Sequence, residues 1–219
     1  MLKHGKRSPS KSRADAHIHF IPKADGQLSL VVNYRGLNKV MIHNKYPIPL
    51  MTELRDHVHD AQICTKFDLT DGFHLIRVRK GDEWKTALQI RYWHYQYHVI
   101  LVVLVNGPAI FQTMMNEILR EFLDQGVVLY IDDILIYCKM VEEYIILVRK
   151  VLQRLRQYRM AISLEKSVFH VKKVDFLDYV MAKDRVTMNE KKVESVKAWR
   201  APASVKDVHI FVGCANFYG

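Results

Sequence analysis

Cysteine is scarce in this 219-residue chain, and the three it has (Cys64, Cys138, Cys214) are far apart and odd in number. No disulfide framework and no Cys-x-x-Cys pair is available, so a reducing compartment is expected, cytoplasmic or nuclear. Long apolar runs are missing too. The longest, Val99 to Val105 (VILVVLV), is far too short to span a bilayer. No apolar segment follows the basic start, as a signal peptide would require. An intracellular protein with no membrane partner is therefore expected. There is no internal repeat and no linker. Eleven histidines are scattered, and the pairs His17/His19, His57/His59 and His94/His98 find no fourth ligand, which argues against zinc.

What is present is ordinary for a globular chain. Hydrophobic residues make up 49% and charged residues 26%, enough to bury a core in one domain or two small subdomains. Lys and Arg number 33 against 23 Asp and Glu, a net charge of +10. That balance points to a polyanionic partner, most often nucleic acid. The plainer reading is a basic tail with no partner. Lys3, Lys6, Arg7, Lys11 and Arg13 all fall in the first thirteen residues. Residues 1–17 lack periodicity and are expected to be a disordered basic tail.

Further along, the patterning predicts strands at 18–22 and 28–34 around an Ala24-Asp25-Gly26 turn. An extended Tyr46-Pro47-Ile48-Pro49 follows, since each proline disfavours helix before it. A short helix over 51–58 and a strand at 63–68 come next, with 75–78 and 86–90 continuing a sheet. Pro108 opens a helix whose apolar face is Phe111, Met114, Met115, Ile118, Leu119 and Phe122. Two apolar runs, 127–130 and 134–137, flank a polar tip and read as a β-hairpin. A second helix carries Val141, Ile145, Val148, Leu152 and Leu155. Later strands are expected at 169–171 and 174–180. Asn189 can cap one more helix, and Ser204-x-x-Asp207 resembles a capping box for the last. The order gives an α+β fold with helices on one face of an antiparallel sheet.

The most informative segment is Tyr130-Ile131-Asp132-Asp133, at the tip of the expected hairpin. A plain turn accounts for one aspartate, because Asp is a common turn residue. Two neighbouring carboxylates repel unless a cation neutralises them. Asp68 closes the strand at 63–68. If that strand pairs beside the hairpin, three carboxylates converge, and such an oxygen cluster suits two Mg²⁺ ions rather than Zn²⁺. Two metals can activate an attacking hydroxyl and stabilise a leaving phosphate.

At these residues the sequence resembles the reverse transcriptase family, in particular the gypsy-type LTR retrotransposons. The Tyr-x-Asp-Asp box at 130–133 is moderately specific alone. The ordered set is strong: Tyr34-Arg35-Gly36-Leu37-Asn38-Lys39, Tyr46-Pro47-Ile48-Pro49, Lys66-Phe67-Asp68, Gly72-Phe73-His74, Pro108-Ala109-x-Phe111-Gln112 and Phe176-Leu177. The resemblance covers residue 18 to the end. It implies a right-hand polymerase with an antiparallel palm sheet backed by helices. Fingers would span about 18–62 and 80–110, palm about 63–79 and 111–185, and only the start of a thumb or connection 186–219. The implied function is RNA-directed DNA polymerase, adding dNTPs to a DNA primer on an RNA template and holding the RNA–DNA duplex. Two Mg²⁺ ions, with Mn²⁺ as a substitute, would sit on Asp68 and Asp132, with Asp133 completing the acidic cluster. The resemblance places Phe73 at a steric gate against ribose, although a core aromatic is the plainer reading. It assigns Lys23 to the triphosphate, Gln112 to template or nearby backbone, Tyr130 to the substrate site, and Leu177, Asp178 and Tyr179 to a primer grip.

Several departures fall on working parts. Ser29 stands where the family carries an arginine that clamps the triphosphate, and serine supplies no cationic contact. Asn33 replaces an aspartate. Residues 100–108 (ILVVLVNGP) have lost the proline, phenylalanine and glycine of a polar loop, with Val103 at the glycine. Asp178 replaces a primer-grip glycine. No protease, ribonuclease H or integrase motif lies within these residues. The competing reading is a degenerate endogenous copy, weak or inactive, that only binds RNA or RNA–DNA duplex through a basic cleft. The uncharged run 99–105 is also an aggregation hazard if exposed. The isolated chain should accordingly be poorly soluble, and a monodisperse preparation at high concentration, judged by light scattering, would argue against that.

Overall fold

A computed structural model of the chain describes residues 5–22, 26, 28–47, 61–183, 185–199 and 201–218. The expected helix at 51–58, most of the turn at 24–26 and residues 48–49 lie outside them. The elements in chain order begin with β1 (Arg7–Pro9), β2 (Ile18–Pro22), β3 (Leu28–Val32), α1 (Arg35–Val40) and β4 (Ile63–Thr70). Then come β5 (Leu88–Ile90), β6 (Trp93–Tyr97), α2 (Gly107–Ile118), β7 (Val127–Tyr130), β8 (Asp133–Cys138) and α3 (Val141–Gln157). The remainder is β9 (Ala161–Ile162), β10 (Val168–Val171), β11 (Lys173–Phe176), β12 (Tyr179–Ala182), β13 (Arg185–Met188), α4 (Glu190–Lys197) and α5 (Val205–Tyr218). None of the described helices is long and apolar enough to cross a membrane.

The central sheet runs β10-β4-β8-β7, with β9 pairing the far end of β4, and its pairs are antiparallel. The hairpin strands β7 and β8 are apolar at successive positions (Val127-Val128-Leu129 and Ile134-Leu135-Ile136), so both faces must be covered. On one face Phe67, Leu69, Leu129, Ile134 and Ile136 join the main core with Phe111 and Met115 of α2 and Val151 and Leu155 of α3. On the other, Cys64, Val128 and Leu135 pack against Val174, Phe176 and Met181 of a small β11-β12-β13 sheet. The expectation of helices on one face holds. Each of the largest buried side chains contributes about 1.5–3 kcal/mol by leaving water.

Three expectations need correction. Residues 5–17 are not a disordered tail. β1 adds to the edge of β6 in a β1-β6-β5 sheet, with Arg7 opposite Tyr97 and Pro9 opposite Tyr95. Ser10 Oγ donates to Gln96 Oε1, and Ala16 is buried. The segment follows no apolar alternation because its order comes from backbone pairing at a sheet edge, where proline is tolerated. Residues 75–78 do not form a strand: a 3₁₀ turn spans Gly72–Leu75, and only an isolated bridge joins Arg77 to Val99. The strand expected at 174–180 is two strands, because Leu177 (φ 51°) and Asp178 (φ 67°) turn the chain back on itself. A left-handed pair of this kind normally takes Asn-Gly.

The apolar run 99–105 is divided. Val99, Ile100 and Leu104 are buried, whereas Val102, Val103 and Val105 are exposed. The loop is not a free strand. The Asn38 amide donates to Val103 O and accepts from the Val105 N–H, each at 3.0 Å. Asn106 in turn accepts from the Asn44 N–H and donates to Ile42 O. Two asparagines thus tie residues 38–44 to the loop and occupy backbone groups that an edge would offer to another chain. Replacing Asn38 by alanine should cost about 1 kcal/mol in urea unfolding, since these bonds are exposed. It should also lower the concentration at which the protein aggregates.

Candidate active site

β4 and the β7–β8 hairpin place the three aspartates at one end of the central sheet. Asp68 is the direct cross-strand partner of Asp133, and the Leu69 N–H donates to Asp132 O at 3.0 Å. Tyr130 and Asp133 form the last pair of the hairpin, which leaves Ile131 and Asp132 as its two-residue turn. Ile131 is at φ 50°, and φ is positive only at this first turn position. Such a turn prefers glycine there, and a β-branched side chain is strained.

Gln112 holds that turn. It is fully buried on α2. Its Oε1 accepts from the Ile131 N–H at 2.7 Å, and its Nε2 donates to Leu129 O at 3.3 Å and to Asn116 Oδ1 at 2.9 Å. The resemblance assigned Gln112 to template or nearby backbone. Of the two partners foreseen for Gln112, nearby backbone is the one observed. An amide inside a dry core must bond to something, and the strained hairpin is what it meets.

The carboxylates differ sharply in environment. Asp133 Oδ1 lies 3.1 Å from Lys66 Nζ, with both side chains largely covered. Lys66 also lies over the Phe176 ring, 6.0 Å from its centroid. Asp68 Oδ1 is 3.8 Å from Nζ of the exposed Lys166, and Asp68 is held through its backbone by Ser163 and Ser167. Asp132 Oδ1 is buried without a hydrogen-bond partner. Burial, then the charges of Asp68 and Asp133, push its carboxyl up to about 6, with Lys166 opposing them. Among the described residues no three His, Cys, Asp or Glu side chains are gathered as a metal site. The strand bearing Asp68 does pair beside the hairpin, and the charges of Asp68 and Asp133 both reach Asp132. Asp132 thus feels both neighbours, and Asp133 is in addition engaged by Lys66. The missed residue was Lys66. Its position two before Asp68 in a strand puts both side chains on one face, a signal legible in the sequence.

Asp132 and Phe73 line one cleft of about 630 Å³, with Gly72, Leu69, Val102 and Val103 in its walls. Phe73 is also a buried core residue, stacked on Phe111 with centroids 4.5 Å apart. Gly72 is required there, because an added Cβ would lie 2.7 Å from the Phe111 ring. Tyr130 and Leu177 are partly buried against the second core. Asp178 Oδ2 is 3.1 Å from Lys192 Nζ, and Tyr179 opens β12 opposite Met188. The Leu177–Asp178 turn is joined to the acidic end through Phe176 and Lys66. Lys23 lies outside the described residues.

Residues 21–181 match the family described as reverse transcriptase (RNA-dependent DNA polymerase). Two Schizosaccharomyces pombe proteins, the transposon Tf2-3 and Tf2-7 polyproteins, are 37% and 36% identical to the chain over 216 residues. That is 99% of this chain but only 16% of the length of each polyprotein. Among solved structures, the foamy viral protease-reverse transcriptase dRH in complex with dsDNA superposes with a TM-score of 0.88. It is 23% identical and is matched over 99% of this chain and 38% of its own. The foamy viral protease-reverse transcriptase in complex with RNA/DNA hybrid gives 0.81 at 22% identity, over 99% and 29% of the two chains. These likenesses carry the α+β polymerase fold.

The unpaired Asp132 charge has a measurable consequence. An unfolded aspartate releases its proton near pH 3.8, whereas the folded one keeps it to about 6. The folded state thus binds more protons between those values, and stability falls as pH rises through that window and is flat above it. Asp132→Asn removes the charge. In metal-free buffer at pH 8 it should raise stability by about 1 kcal/mol, discounted for partial exposure, or roughly 2–4 °C. Thermal unfolding against pH checks it: the variant should lose the decline between pH 4 and 6.

Proposed function

Because the chain belongs to the reverse transcriptase (RNA-dependent DNA polymerase) family, we propose that it extends a DNA primer on an RNA template by two-metal transfer of nucleotides from dNTPs. The observation that carries this reading is the buried, unpartnered Oδ1 of Asp132 beside Asp68. An orphaned, half-buried carboxylate with a neighbouring one is a site waiting for a hard cation, and an all-oxygen donor set favours Mg²⁺, with Mn²⁺ as a substitute. Asp68 and Asp132 would hold the ions, and Asp133 would join them as its pairing with Lys66 loosens. When bound, the metals activate the primer hydroxyl and stabilise the leaving pyrophosphate.

The protein's own residues do the positioning. Gln112 fixes the Ile131 turn, and through it the direction of Asp132, so the carboxylate needs little rearrangement at the moment of reaction. Phe73 faces the cleft with its ring backed by Phe111, which leaves it no room to retreat from a bulky sugar. This supports its role in favouring dNTP over NTP. The Leu177–Asp178–Tyr179 hairpin, on the Asp133 side of the sheet, would hold the primer end. Lys23 is assigned to the triphosphate by resemblance alone. The complexes in which the foamy viral enzymes were solved, with dsDNA and RNA/DNA hybrid, support a duplex partner.

A second reading has its own observations. Val102 and Val103 place exposed apolar side chains in the cleft wall, and Asp178 puts a carboxylate and a left-handed backbone at the primer hairpin. These favour a weakened copy that binds nucleic acid without turnover. Primer extension on an RNA template, in Mg²⁺ and separately in Mn²⁺, decides between them. Extension that disappears in Asp132→Asn/Asp133→Asn is the expected result. Steeply salt-dependent duplex binding without extension, from folded protein, would select the second reading.

A further inference from the structure

We infer that Arg7, on the N-terminal strand, is an anion-binding residue of the cleft and contacts the phosphate chain of the incoming nucleotide. The inference rests on the polymerase reading above and adds a residue to it. Three observations carry it. First, β1 is built into the molecule: it pairs with β6, His98 Nε2 lies 2.9 Å from Ser8 Oγ, and the His98 N–H donates to Lys6 O at 2.9 Å. Arg7 is therefore held on a sheet edge rather than on a mobile tail.

Second, Arg7 lines the cleft of about 630 Å³ that Asp132 and Phe73 also line. Among its described lining residues it is the one lysine or arginine, and the β3 residues that share the wall (Leu28, Leu30, Val31 and Val32) are apolar. A nucleotide brings several negative charges into a cleft that already contains Asp71 and Asp132, so a cation in that wall has an evident partner. The neighbouring Lys6 does not compete. Its Nζ lies 3.8 Å from Asp71 Oδ2 and 3.1 Å from His74 Nδ1. Its charge is answered by Asp71, whereas Arg7 has no carboxylate paired with it among the described residues.

Third, Arg7 Nε is buried and makes no hydrogen bond. The guanidinium is seated over the Tyr95 ring, 5.3 Å from its centroid, which fixes the plane without satisfying the N–H. Buried donors are nearly always bonded, and an orphan beside a substrate cleft is explained by an absent ligand. A guanidinium so placed can meet phosphate oxygens with two parallel N–H groups, which an ammonium cannot do. The phosphate could belong to the nucleotide or to the backbone of the primer–template duplex. Sharing one cleft with Asp132 and Phe73 favours the nucleotide.

The test compares wild type, Arg7→Met and Arg7→Lys. Methionine keeps an unbranched stem against Tyr95, and thermal unfolding confirms that each variant folds. Inorganic tripolyphosphate without metal should raise the unfolding temperature of wild type and not of Arg7→Met. In primer extension, Arg7→Met should raise KM for dNTP about tenfold or more, with kcat and duplex affinity little changed, and Arg7→Lys should recover part of the loss. Unchanged KM and an unchanged tripolyphosphate response would overturn the assignment while leaving the polymerase reading intact. Weaker duplex binding at constant KM would overturn it in favour of a backbone contact. If wild type extends no primer yet is stabilised by tripolyphosphate through Arg7, the polymerase reading fails and the anion site stands.

Discussion

The β4–β8–β7 core is dry on both faces, and the site takes its form from that constraint. The hairpin strands β7 and β8, apolar at successive positions, leave a charge no place except at their ends, and the one lysine inside β4, Lys66, is answered by Asp133. Asp68, Asp132 and Asp133 occur where the paired strands stop, and the hairpin register that aligns Leu129 with Ile134 also aligns Tyr130 with Asp133. The turn between them has two residues, and its strained Ile131 is tolerable because Gln112 reaches it from inside the core. A fully buried amide with both ends bonded is a rigid support. Its loss would leave the Ile131 N–H and Leu129 O in search of partners at about 1–3 kcal/mol. Helix α2, the hairpin turn and the aim of Asp132 are therefore one mechanical unit.

Charge in the site is distributed unevenly. Asp133 is answered by Lys66, Asp68 weakly by an exposed lysine, and the buried oxygen of Asp132 by nothing. A half-buried carboxylate repelled by two neighbours disfavours its own ionisation. A divalent cation held there would reverse that preference, and its occupancy would then be linked to the protonation of a single residue. Lys66 also connects the acidic end to the Phe176 hairpin, so that face of the sheet carries both an ion pair and a ring contact.

The departures from the family pattern are accommodated at a cost that the fold absorbs locally. Leu177 and Asp178 adopt left-handed backbone where glycine would rest without strain, and Lys192 partners the Asp178 carboxylate. The valine-rich loop buries half its side chains and has its backbone tied down by Asn38 and Asn106. Substitutions at such places alter what the cleft presents to a nucleotide or primer more than they alter the fold. The fold and the three aspartates can therefore persist while the side chains lining the cleft change.

By itself the sequence determined the α2 and α3 helices, the central hairpin, the strand that carries Asp68 (though it runs two residues further, to Thr70) and the family, because all of these rest on local periodicity and on motifs of a few adjacent residues. The side of the sheet on which Lys66 and Asp68 project was legible in the same way. Other features were decided only in three dimensions. Residues 5–17 show no pattern because their order comes from backbone bonds to β6, some ninety residues away in the chain, and backbone pairing leaves no side-chain signature. The resemblance left Gln112 between template and nearby backbone, and only the fold shows that its partners are backbone groups of a turn that sequence cannot show to be strained. The separate fates of Asp132 and Asp133, identical neighbours in the chain, follow from burial and from the place of one lysine. Such environments arise when distant segments pack, and no local spacing encodes them.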